Sequence, residues 1–186
     1  MRIISGFLKG KKIDFIKSAT TRPLRDFVKE NIFNIINHSN VIDVKLKGAN
    51  ILDLYSGVGS FGIECISQGA KKSIFVENDN KALIKLKKNL NNLKIENSSD
   101  IFSEKTTDFF SRYNSQEKFE IIFFDPPFAE NFFIKELNTI KESKIYKKKH
   151  LIIIHREGKT NDDLQKAINI LLIRKYGRSK VIFGAF

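Results

Sequence analysis

The stretch Ile51-Leu52-Asp53-Leu54-Tyr55-Ser56-Gly57-Val58-Gly59-Ser60-Phe61-Gly62-Ile63-Glu64 is a short apolar strand that runs into a glycine-rich turn and then into a helix-like pattern. The spacing of Gly57, Gly59 and Gly62 matches the dinucleotide fingerprint, in which glycines let the backbone approach a ligand and let the helix pack on its strand. The next strand, Ser73-Ile74-Phe75-Val76-Glu77, ends in an acid twenty positions after Gly57, where a carboxylate can accept hydrogen bonds from ribose hydroxyls. A nucleoside-bearing cofactor is expected. Its chemistry follows from the charges: Asp53, Glu77 and Asp79 frame the turn, and acids there repel a pyrophosphate but suit a sulfonium cation. S-adenosylmethionine is therefore expected ahead of NAD, and nothing later in the chain supplies a hydride-transfer constellation.

Outward from the turn, Ile121-Ile122-Phe123-Phe124-Asp125-Pro126-Pro127-Phe128 reads as a buried parallel strand with a carboxylate, two prolines and an aromatic ring at its carboxyl end. Open α/β sheets place their ligands there. The same tetrapeptide is also an ordinary strand-ending turn; next to a cofactor turn it suits a planar base with an exocyclic amine. Strands near 51–55, 73–77, 96–99, 120–125 and 151–155 alternate with helices near 60–69, 80–92, 103–113, 130–141 and 161–169. That rhythm argues a doubly wound parallel sheet. A closing hairpin from Ile170 to Phe183 adds one antiparallel strand, and residues 2–16 read as a small basic hairpin. Between hairpin and sheet, Leu24, Phe27, Val28, Asn31, Ile32 and Ile35 fall at helical spacing, with Pro23 suited to the helix start.

These blocks resemble the RsmD-type family of small-subunit ribosomal RNA guanine-N2 methyltransferases over nearly the whole length. The resemblance is carried by Arg2 to Gly6 with Lys9 to Lys12, by Thr21-Arg22-Pro23 through Asn34, by Asp53 to Glu64, Ser67 to Ala70, Val76-Glu77 and Lys88-Asn89-Leu90, by Asp125 to Phe128, and by Tyr176-Gly177 with Val181 to Phe183. It implies a Rossmann-like class I methyltransferase: a mostly parallel seven-stranded sheet with helices on both faces, in one domain, residues 1–22 being the basic extension and 23–186 the cofactor-binding core. Asp-Pro-Pro-Phe alone is shared with adenine-N6 and other amino methyltransferases; its combination with the N-terminal block is specific. Leu24, Phe27 and Lys29 depart from the family pattern at positions expected near cofactor or RNA, and Cys65 stands where alanine is usual.

The resemblance and the residue chemistry together assign roles. Asp125 accepts one hydrogen of guanine N2 and the Pro126 carbonyl the other, Pro127 stiffens the turn, and Phe128 stacks on a flipped base. Tyr55, Ser56, Gly57 and Gly59 present backbone to the methionine part and Glu77 holds the ribose. Asp100, expected to follow the third strand, takes the adenine amine or caps the next helix, with Ile101 near the ring. Asp53 belongs to the same site or orients the loop. Arg22 and Pro23 close over the methionine end or the base. Rival functions are an adenine-N6 methyltransferase, a protein-glutamine methyltransferase, which usually has Asn in place of Asp125, and a noncatalytic RNA-binding assembly factor.

Composition fits a nucleic-acid partner. The formal net charge is +12, and residues 1–30 carry eight Lys or Arg against three acids. Lysine far outnumbers arginine in a chain also rich in Ile, Asn and Phe, so part of the charge reflects A+T-rich coding. The arm's Arg2, Lys9, Lys11, Lys12, Arg22 and Arg25 are expected to grip the phosphates of 16S ribosomal RNA or the small subunit. Lys147 to Lys149 read as a solvated loop. His38, His150 and His155 lack metal-ligand spacing, so no metal is expected. A single cysteine, the absence of an apolar run of about eighteen residues, and an N-terminus too short in apolar residues for a signal peptide point to the reducing cytoplasm, and a basic single-domain enzyme of this size is expected to work as a monomer.

Overall fold

Apolar residues alternate sides along the strands, and this decides the layering. Ile51, Ile121, Phe123, Leu151, Ile153, Val181 and Phe183 fill one core, while Leu52, Leu54, Ile122, Phe124, Ile152, Ile154 and Ile182 fill another. The period of two therefore buries both faces of one sheet. The structure is a computed structural model and describes residues 1–16, 24–113, 116–127, 132–160 and 162–186.

The elements in chain order are α1 (Asp26–His38), β1 (Asn50–Leu54), α2 (Ser60–Ser67), β2 (Lys72–Glu77), α3 (Asn80–Leu93), β3 (Ser99–Ser103), α4 (Thr106–Arg112), β4 (Phe119–Phe124), α5 (Phe133–Ser143), β5 (Tyr146–Glu157), β6 (Asn169–Tyr176) and β7 (Ser179–Ala185). They make a seven-stranded sheet ordered β3-β2-β1-β4-β5-β7-β6. β1 to β5 are parallel, and β7 pairs antiparallel with both β5 and β6. The order reverses between β1 and β4, and the ligand crevice of a doubly wound sheet opens at such a switch point. This is the Rossmann-like methyltransferase architecture expected from the sequence.

α1 and α2 pack on one face through a ladder of rings, with Phe33 and Phe61 centroids 5.3 Å apart and Phe61 and Phe123 only 4.0 Å apart. Each such buried ring contributes about 1.5–3 kcal/mol. α4 and α5 cover the opposite face through Phe109, Phe133, Leu137 and Ile140. The arm, residues 1–16, is a loop closed by a single antiparallel bridge between Arg2 and Lys12 rather than by full strands. Its Ile3, Leu8 and Ile13 join a third cluster with Ile63, Ile66, Phe75, Leu86 and Leu90. Among the described residues, no helix is long and apolar enough to cross a membrane.

Several boundaries differ from the sequence expectation. The third strand is Ser99–Ser103 instead of 96–99, because Ile95 is drawn into the core and the chain makes a 3-10 turn over Glu96–Ser98 first. α4 starts correspondingly late, at Thr106. The helix expected over 161–169 is replaced by turns in residues 162–168, position 161 lying outside the described residues. Asp162 there turns inward to meet the Arg156 guanidinium, and β6 starts at Asn169. Lys147 to Lys149 are exposed but belong to β5. α1 is rotated by about one position: it buries Val28, Lys29, Ile32, Phe33 and Ile36, and leaves Phe27 exposed.

Candidate active site

The turn after β1 is shaped from below. Asp53 is 1% exposed, and its Oδ2 accepts the Gly62 N–H at 2.9 Å, tying the strand end to the first turn of α2. Burial pushes this carboxyl well above the usual range; the Gly62 N–H opposes the shift, and the nearby charges of Asp125 and Glu77 add to it. Asp53 thus orients the loop from beneath. Gly59 (φ 85°) caps α2, and Gly57 (φ 56°) lies where an added Cβ would meet no atom within 4 Å. Tyr55 also has a left-handed backbone (φ 59°), and its hydroxyl donates to Glu136 Oε2 at 2.7 Å. Thr106 donates to the other oxygen of the same buried carboxylate, so α4 and α5 brace the turn.

Glu77, at the carboxyl end of β2, holds the turn from the side. Its Oε2 accepts the Gly57 N–H at 2.7 Å, and its Oε1 accepts the N–H groups of Asn78 and Asp79, each at 2.8 Å. Asp79 is the N-cap of α3, accepting from Ala82 N–H. Asn89 of α3 donates to the Val58 carbonyl at 3.1 Å and to the Asp14 carbonyl at 3.0 Å, and accepts the Asp14 N–H. The basic arm and the glycine turn therefore share one buried amide.

A cofactor of the expected kind fits what is present. The Ser56 hydroxyl is buried without a hydrogen-bond partner, the backbone at Gly57 faces open space, and a carboxylate oxygen has two lone pairs, so Glu77 Oε2 retains accepting capacity. Asp125 and Glu77 lie close enough to Asp53 to raise its carboxyl further, and three acids around one turn favour a cation between them.

Asp125 follows β4, its side chain 23% exposed, and its Oδ1 lies 2.8 Å from Nδ1 of His155. The Pro127 carbonyl accepts from Arg156 Nη1 at 3.0 Å. Arg156 is fully buried, paired with Asp162 at 3.1 Å and stacked 4.7 Å over the Phe133 ring. Sequence reasoning missed His155, Arg156 and Glu136. A signal for the first two was there: Leu151 to Ile154 repeats the four-residue apolar run of Ile121 to Phe124, and register pairs Phe124 with Ile154, which sets Asp125 beside His155.

Asp100 and Ile101 are corrected by the shifted strand. Asp100 pairs in register with Ile74 in the first half of β3 and forms an ion pair with Lys72 at 2.7 Å, away from the carboxyl end. Ile101 sits mid-strand beside Phe75 and packs on the cluster of Ile63 and Leu86. The acid that follows β3 is Glu104, whose side chain is 15% exposed and 2.8 Å from Arg112. Phe128 and Arg22, with Pro23, lie outside the described residues.

Arg2, Lys9, Lys11, Lys12 and Arg25 are exposed. The arm that carries the first four is fixed by Glu64, whose oxygens accept Ile4 N–H at 2.9 Å and Ser5 N–H at 2.8 Å. Lys29 is buried against Glu64 at 3.2 Å and donates to the Arg2 carbonyl, so this departure from the family pattern anchors the arm rather than facing a ligand. Among the described residues no group of His, Cys, Asp and Glu is arranged for a metal.

A family model described as "Conserved hypothetical protein 95" matches residues 1–185. A relative from Haemophilus influenzae, ribosomal RNA small subunit methyltransferase D, is 32% identical over 158 residues, which is 84% of this chain and 79% of the relative. The solved structure of a hypothetical protein from Thermus thermophilus aligns with a TM-score of 0.80 at 20% identity, covering 100% of this chain and 99% of the other. The ribosomal protein L11 methylase of Lactobacillus delbrueckii subsp. bulgaricus aligns at a TM-score of 0.68 and 11% identity over 96% and 87%. Both of these structural matches are likenesses of fold alone.

Proposed function

Because this chain belongs to the RsmD family of ribosomal RNA small subunit methyltransferases, we propose that it methylates ribosomal RNA with S-adenosylmethionine, and that its target is the exocyclic N2 amine of a guanine in 16S RNA. The observation that carries this reading is the convergence of Asp125-Pro126-Pro127 with the turn at Gly57 and Glu77 at the carboxyl ends of β4, β1 and β2. S-adenosylmethionine bound there supplies an electrophilic methyl group on a sulfonium.

The chain's own residues prepare the nucleophile. The N2 lone pair is delocalised into the ring, and it becomes available when both amine hydrogens are held out of conjugation. Asp125 accepts one, the Pro126 carbonyl the other, and the carboxylate stabilises positive charge as it grows on nitrogen. Arg156 takes the Pro127 carbonyl, one residue beyond, and so fixes the turn. Phe128 stacks on a base drawn out of its helix. Glu77 and the turn from Tyr55 to Gly59 hold the cofactor, and Glu104, as the acid after β3, replaces Asp100 near the adenine. Arg2, Lys9, Lys11, Lys12, Arg22 and Arg25 neutralise phosphates.

The test is incubation with labelled S-adenosylmethionine and small-subunit particles, naked ribosomal RNA or DNA, followed by nucleoside identification. N2-methylguanosine from RNA is expected. Methyladenine from DNA would replace the substrate assignment and leave the cofactor assignment standing. Asp125→Ala should lower kcat by about 10²–10³ and leave cofactor affinity near wild type by calorimetry; equal loss of both counts against the role of Asp125.

A further inference from the structure

We propose that His155 is the positioning residue for Asp125: its Nδ1–H holds Oδ1 and turns Oδ2 toward the amine to be methylated. The inference rests on the role given to Asp125 above. An ionised carboxylate can only accept, so in the 2.8 Å contact the proton is on Nδ1. The His155 side chain is 8% exposed and that of Asp125 23%, so the bond lies at the inner edge of the crevice, where water competes weakly.

The arrangement is built, not incidental. Consecutive strand residues point to opposite faces, and the two residues after Ile154 each reach the same turn: His155 holds the Asp125 carboxylate and Arg156 the Pro127 carbonyl at 3.0 Å. Arg156 is itself locked by Asp162 and by the Phe133 ring. The backbone of Asp125 is held only loosely, its N–H reaching the Leu54 carbonyl at 3.4 Å. Without a side-chain partner the carboxylate is free to rotate about its two torsions, and a misplacement of about 1 Å costs a catalytic contact up to about 100-fold.

Two variants test this in the full-length enzyme. His155→Leu removes the donor and keeps an apolar side chain on the strand; His155→Asn restores an N–H close to the position of Nδ1. The expected result is a kcat lowered about 10-fold to 100-fold by His155→Leu with KM for RNA and cofactor unchanged, substantial recovery in His155→Asn, and no further loss when His155→Leu is added to Asp125→Ala. Wild-type kcat in His155→Leu, recovery no better in His155→Asn, or additive losses would overturn the proposal. Nitrogen-15 NMR of the wild-type imidazoles reads the contact without turnover: an Nδ1–H signal that moves in Asp125→Ala is expected, and an unprotonated Nδ1 overturns it. Absence of methyl transfer by the wild-type enzyme identifies failure of the underlying functional reading, separately from failure of the contact.

Discussion

A methyl group at position 62 would stand 2.4 Å from Cε1 of Phe75 and 3.1 Å from Oδ2 of Asp53. The ring of Phe75 is fully buried and cannot swing away, so the close approach of α2 to β2 requires glycine. Gly62→Ala is expected to cost about 1–3 kcal/mol by overpacking, read as a thermal midpoint lower by several degrees, and to weaken the cofactor with it because Asp53 loses its grip on the turn. At this scale the glycine turn was legible: Gly57, Gly59, Gly62 and Glu77 are fixed by local spacing along one strand, turn and strand. Asp100 was misplaced because a three-residue shift of a strand start moves a side chain from the ligand end into the first half of the strand. His155 was passed over because a lone histidine has no local signature; its meaning comes from the neighbour that register brings beside it.

Elements are joined by polar contacts that periodicity does not reveal. Lys29 of α1 and Glu64 of α2 are both fully buried, 3.2 Å apart, and together hold the arm through the Arg2 carbonyl and the Ile4 and Ser5 N–H groups. The two partners are unequal. Removing Lys29 leaves Glu64 still bonded to the two amides and to Gln68 at 3.0 Å, whereas removing Glu64 leaves a buried cation that, among the described residues, is near only a carbonyl and the Ser60 hydroxyl. Glu64→Ala is therefore expected to cost about 3–5 kcal/mol in denaturant unfolding, more than Lys29→Met, and to speed hydrogen exchange at Ile4 and Ser5. Equal costs would mean that the charge pair, broken in either variant, sets the energy, and that the amide bonds held by Glu64 alone add little. The same cause explains the rotation of α1 and the missing helix near 161–169: a buried lysine and an inward-turned aspartate each claim a position that an apolar pattern assigns elsewhere.

For the whole molecule, strand and helix alternation was enough to specify the sheet, since β1, β2, β4 and β5 each carry a run of buried residues and the parallel order needs helices on both faces. What alternation does not say is which part of a +12 surface meets RNA. The arm is distinguished by attachment and composition: it shares Asn89 with the glycine turn, and it exposes Lys9, Lys11 and Lys12 around Phe7, which is 69% exposed. Cations beside an uncovered ring suit unpaired nucleotides, whose phosphates they neutralise and whose bases can stack. Lys147 and Lys148, equally exposed, lie in the first half of β5, at the opposite end of the sheet from Asp125. If each arm lysine neutralises one phosphate of single-stranded RNA, reversing all three to glutamate removes about 2 from the slope of log affinity against log salt. Reversal of Lys147 and Lys148 makes two thirds of the same change in net charge and should leave that slope near its wild-type value. A titration of RNA binding over a salt series checks both; equal effects per reversed lysine from the two sets would show that total charge, with no contribution from the arm's position, governs the interaction.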